Sequence, residues 1–131
     1  MSASVGFVVF LLLTLACLAG AVSTGLRAWR RRHLACVAGA VACLVATIYY
    51  ALALGHLYDL DAAGWITPVH KTMAKVATAS YLLPVVSGVR TIFHPPTRRL
   101  HRKIAFLVLS LTIATALTGT WMLLASPRLP G

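Results

Sequence analysis

Val5 to Leu26 reads VGFVVFLLLTLACLAGAVSTGL, with no charged side chain anywhere in it, and runs straight into Arg27-Ala28-Trp29-Arg30-Arg31-Arg32-His33. A helix of that length covers about 33 Å at ~1.5 Å per residue, which matches the hydrocarbon thickness of a bilayer. The order of the two segments matters as well. A cleaved secretory signal carries its basic residues before the apolar core, whereas Met1-Ser2-Ala3-Ser4 has none and the arginines come after. The stretch therefore reads as a retained transmembrane helix that enters with its N-terminus outside.

Working outward, the same pattern recurs. From Leu34 to Leu57 the chain is apolar, interrupted chemically only by His56. Val76 to Val89 is apolar too, closely flanked by Lys71, Lys75 and Arg90. Thr67-Pro68 fits an N-cap followed by the first helical residue, and Pro95-Pro96 forces a stop. Read from Pro68 to Phe93, that helix is about 39 Å long, enough to span with tilt. The last apolar run starts near Arg98 and ends at Ala125, before Ser126-Pro127. The expected spans are thus 5–26, 34–57, 68–93 and 98–125. Composition agrees: the 131 residues are 60% hydrophobic and 11% charged, with a mean hydropathy of +0.86, where a soluble domain carries about 25% charged residues. The expected fold is all-α, a four-helix transmembrane bundle that forms one domain over residues 1–131, with N-terminus and C-terminus both outside.

The net charge of +10 is distributed as topology requires rather than as a nucleic-acid surface. Arg27, Arg30, Arg31 and Arg32 lie between the first two spans, and Arg90, Arg98, Arg99, Arg102 and Lys103 lie around the turn between the last two. Both turns fall on one side of a four-span chain. The other side holds Lys71, Lys75 and Arg128 with the only acids, Asp59 and Asp61. Nine positives against three is a positive-inside signature, which puts the basic turns in the cytoplasm, in contact with anionic lipid. The pattern argues for membrane lipid and against nucleic acid as the partner.

Chemistry-bearing motifs are few. No carboxylate pair falls within a span, and neither a Gly-rich phosphate loop nor a nucleophile with a placed base is present. Independent catalytic activity is therefore not expected. A small transporter is also disfavoured, since the spans contain no acid and only Lys75 is a plausible buried charge. Cys17, Cys36 and Cys43 all fall inside spans, in no Cys-x-x-Cys pattern, and read as small packing residues. Cys17, Ala21 and Gly25 form a small-xxx-small series suited to close helix approach. No internal repeat stands out.

Four of the five histidines sit at helix ends. His33 and His101 open the second and fourth spans on the basic side; His56 closes the second and His70 opens the third on the other. His33 and His56 are separated by about 35 Å of helix, so they cannot share a site. The layout is one histidine pair per membrane face, with His94 beside Pro95 incidental. Imidazole pairs near opposite faces suit heme b iron, or copper as the alternative. In the last span His101, Ala105, Val108, Thr112, Thr115 and Gly119 fall on one stripe, and in the third His70, Ala74, Ala77, Tyr81 and Gly88 form another. Such small-residue stripes leave room for a flat cofactor, and they equally suit close packing against a helix. Interfacial histidines without any cofactor are the competing reading.

Arg30-Arg31-Arg32-His33, Tyr49-Tyr50, His56, His70, Pro84, His101-Arg102-Lys103-Ile104-Ala105 and Thr118-Gly119 together resemble a bacterial four-helix membrane family, domain of unknown function 420. The resemblance covers nearly the whole chain. One branch of that family takes part in maturation of heme–copper terminal oxidases. The resemblance implies that His33, His56, His70 and His101 match the family's histidines, and that the protein belongs to the bacterial inner membrane beside a larger oxidase or reductase complex. The chain departs from the family pattern in a longer spacing from His70 to Pro84, and in Phe106 to Leu111, where an aromatic, proline-containing stretch is expected. The functional expectation is a small accessory or electron-carrying subunit of a respiratory-type redox complex, with His33, His56, His70 and His101 as cofactor and metal ligands. The alternative is a cofactor-free assembly factor or structural subunit.

Overall fold

The computed structural model describes residues 1–130 and is built from helices. The long ones are α1 (Ala3–Leu26), α2 (Arg30–Gly55), α3 (Ile66–Ser80), α4 (Leu82–Phe93) and α5 (Arg98–Ala125), with short 3-10 turns at Leu60–Ala63 and Pro95–Thr97. Because α3 and α4 run on as one segment, Ile66–Phe93, the described residues hold four helical segments long and apolar enough to cross a membrane. The protein is an all-α, multi-pass membrane protein. Its chain forms two compact units: Met1–Tyr58 with the residues from Leu129, and Asp59–Arg128.

The first unit is the α1–α2 hairpin. Ser2 caps α1, its hydroxyl accepting from the Val5 amide at 3.4 Å. The seam between the helices advances in steps of three and four residues, through Gly6, Phe10, Thr14, Cys17, Ala21 and Thr24 on one side. Small side chains there let the backbones approach, which is how helices associate where lipid offers no hydrophobic drive. Tyr50 fills the space over Gly6 and stacks on Phe10, with centroids 5.6 Å apart and planes at 12°. At mid-seam Thr14 and Thr47, both buried, share a hydroxyl hydrogen bond of 3.1 Å. Each hydroxyl also lies near its own i−4 carbonyl, Phe10 at 2.7 Å and Cys43 at 2.8 Å, so two protons are shared among three contacts.

The second unit packs α3 and α4 against α5. Here the segment expected as one straight helix from Pro68 is interrupted at Tyr81. Pro84 explains the position: it has no N–H to give the Ser80 carbonyl, and its ring crowds that group. Tyr81 keeps helical angles (φ −62°, ψ −22°), so the interruption is a kink. The start also differs. The helix begins at Ile66, and Thr67 does not cap it; its hydroxyl donates back to the Leu60 carbonyl. The chain enters through a 3-10 turn in which Asp59 Oδ1 accepts from the Ala62 amide at 3.4 Å, closed by Gly64 at φ 70°.

Candidate functional site

In the first unit, His33 opens α2 and reaches back to α1. Its Nδ1 donates to the Ala21 carbonyl at 2.8 Å, and the ring lies on Gly25, where a Cβ would come within 3.1 Å of Nδ1. An imidazole laid on a glycine takes the space that a side chain would occupy. The cysteines follow the same logic reciprocally. Cys36 Sγ covers Gly20 and Cys17 Sγ covers Gly39, with a built Cβ at 3.0 and 3.1 Å respectively. Their role here is packing. His56 sits just past the end of α2 and is exposed.

The second unit uses histidine twice in one way. His70, near the start of α3, meets α5: its Nδ1 lies 3.1 Å from Thr118 Oγ1, and its ring covers Gly119, with a built Cβ 2.7 Å from Cε1. Thr118 Oγ1 donates to the Thr115 carbonyl at 3.0 Å, so the imidazole is the donor to Thr118. His101, in the first turn of α5, meets α4. Its Nδ1 lies 2.9 Å from Ser87 Oγ, and its ring covers Gly88 at 3.2 Å from a built Cβ. Each imidazole thus settles on a hydroxyl–glycine pair of the facing helix. Both pairs follow a histidine of their own segment at the same spacing, Ser87-Gly88 after His70 and Thr118-Gly119 after His101. The unit is an antiparallel, self-complementary arrangement with one constant offset in sequence. At its middle Tyr81 and Thr112, 31 residues apart as His70 and His101 are, hydrogen-bond to each other at 2.9 Å.

This reciprocity is the feature that the linear reading lacked. The stripes through His70 and His101 face each other, and their small residues accommodate the opposite imidazole and Tyr81. Within either unit no two of the four end histidines come together. His33 and His56 stand about 35 Å apart along α2. His101 meets Ser87, about 25 Å along the third span from His70. The expected pairs His33/His101 and His56/His70 each draw one member from each unit. Among the described residues no group of three or more His, Cys, Asp or Glu side chains is placed to hold a metal ion. Lys75, the charge singled out within the third span, is exposed.

Aromatic residues mark the ends. Trp65 and Trp121 meet edge to face at 5.3 Å where α3 begins and α5 finishes. Trp29 occupies the α1–α2 turn. Indoles favour the headgroup boundary.

No protein-family model, curated protein or solved structure matches the chain.

Proposed function

We propose that the protein is a cofactor-free accessory subunit, acting in assembly or as a structural part of a larger redox complex of the bacterial inner membrane. One observation carries the preference over an electron carrier. The imidazoles of His33, His70 and His101 are engaged inside their own hairpins, on backbone or hydroxyl groups beside a glycine. In that role they fix helix register. The apolar side chains exposed along every span, such as Val45, Leu52, Val86 and Leu117, supply the surface for lipid and for a larger partner. The respiratory setting rests on the resemblance drawn from His33, His56, His70 and His101 and their flanking residues.

A second reading has its own support. The His33 Nδ1–H bond to a carbonyl places the ring proton on Nδ1, the tautomer in which Nε2 is the coordinating nitrogen. Ligating histidines are commonly oriented in this way. Ligation of heme b, or of copper, is the electron-carrying alternative.

A reduced-minus-oxidised spectrum of the purified, hemin-supplied protein separates the two. The accessory reading expects no bis-imidazole band and no copper retained, while cross-linking in membranes captures an oxidase or reductase core. A band that falls by about half in His101→Ala and disappears when His70→Ala is added would overturn it in favour of the electron carrier.

A further inference from the structure

The turn between α1 and α2 places four arginines, Arg27, Arg30, Arg31 and Arg32, around one indole, Trp29. From Met1 to Tyr58 the chain contains no acidic side chain, so nothing in that stretch neutralises them. Two of the guanidiniums are held on the ring: Arg27 Cζ lies 5.1 Å and Arg32 Cζ 4.8 Å from its centroid, within cation–π range. Stacking occupies the face of a guanidinium and leaves its N–H edge for an oxyanion, where a bidentate contact is strongest.

The backbone is shaped to make this cluster. Ala28 adopts the left-handed region at φ 59°, a conformation unfavourable for a residue with a Cβ. It allows the Trp29 amide to donate to the Thr24 carbonyl at 2.9 Å and the Ala28 amide to reach Gly25 at 3.3 Å. The chain thereby reverses within Arg27–Trp29 and brings Arg27 and Arg32 onto the same ring. Trp29 is 44% exposed, and with Arg30, Arg31 and Arg32 it lines a shallow surface depression. Two apolar spans end at this turn, which sets it at headgroup depth, where indoles reside.

We infer that the α1–α2 turn is a headgroup site for anionic phospholipid, with the Arg27–Trp29–Arg32 stack and the adjoining Arg30 and Arg31 taking the phosphate oxygens. This goes beyond a diffuse attraction of basic loops to the membrane. The stack makes the site depend on guanidinium geometry as well as on charge, and Trp29 reports its occupancy.

The test uses the full chain in vesicles, with Trp65→Phe and Trp121→Phe leaving Trp29 as the single fluorophore. Wild-type protein minus Trp29→Phe gives the same signal should that double variant fail to fold. Acyl-brominated phosphatidylglycerol and phosphatidylcholine are compared as quenchers at equal mole fraction. The site requires several-fold enrichment of the anionic lipid at Trp29, most of which is lost in Arg27→Gln or in Arg32→Gln, since one arginine at the surface is worth about a five-fold factor. Arg27→Lys/Arg32→Lys keeps the charge and weakens the stack, so enrichment should fall between wild type and the glutamine pair. Equal quenching by the two lipids overturns the site. Full retention by the lysine pair reduces it to surface potential. Relief of quenching by soluble glycerol phosphate would make it a site for free phosphate instead.

Discussion

Gly119→Ala tests whether histidine clasps hold the second unit together. The new Cβ would lie 2.7 Å from His70 Cε1, with Nε2 and Nδ1 at 3.2 and 3.3 Å, whereas carbon atoms settle at about 3.5–4.0 Å. To restore that separation the imidazole must retreat by about 1 Å. Its Nδ1 starts 3.1 Å from Thr118 Oγ1, so the same movement breaks that hydrogen bond. Overpacking of this size costs about 1–3 kcal/mol, against which alanine's better helix propensity returns up to ~1 kcal/mol. The net expectation is a loss of about 1–2 kcal/mol, roughly ten-fold in the unfolding equilibrium, measured by reversible denaturation in mixed micelles. In a His70→Ala background the clash is absent, and Gly119→Ala should be neutral or stabilising. The coupling energy between the two substitutions is therefore about 2 kcal/mol, as residues in direct contact show. Gly88→Ala should be milder, since its Cβ would stand 3.2 Å from the His101 ring. Equal cost of Gly119→Ala in both backgrounds would refute the clasp.

Thr14→Val and Thr47→Val should each cost about 0.6 kcal/mol and no more than ~1.7 kcal/mol, because each removes the shared bond and leaves the other hydroxyl only its own i−4 carbonyl. The same micelle assay measures this, and unchanged stability in both variants would contradict the bond. Topology follows from the charge split: in a Cys-less background, Arg31→Cys and Thr97→Cys should label from the cytoplasmic side only, and Ala62→Cys from the outside only. Labelling of Ala62→Cys from the cytoplasm would reverse the orientation.

The spans were legible because each is a long apolar run bounded by arginines or prolines, and such runs leave the backbone no other way to satisfy its hydrogen bonds in lipid. The kink at Tyr81 was written in Pro84, but an apolar run from Val76 to Val89 conceals it when only hydropathy is followed. Thr67-Pro68 has the form of a helix start, yet the Thr67 hydroxyl turns to Leu60, a choice made by the folded loop. At the candidate site, the importance of His33, His70 and His101 could be read from their places at helix ends. Their mates could not. Ser87-Gly88 and Thr118-Gly119 share one identity and one chemical class, too little to register as a repeat until the helices are seen face to face. The alternation Cys17/Gly39 and Gly20/Cys36 was hidden in the same way, inside a small-residue series common to many membrane helices.

The paired clasps of the second unit also govern how its helices can move. An imidazole resting on a glycine tolerates slight rocking about the contact, because the ring pivots where it sits. Axial sliding is different. A one-turn slip is about 5.4 Å, and it would carry His70 off Gly119 and His101 off Gly88 at once, since the two stand near opposite ends of the same antiparallel interface. With Tyr81–Thr112 between them, the interface behaves as a bolt secured at three points. Sliding α5 by a turn therefore requires all three contacts to break together.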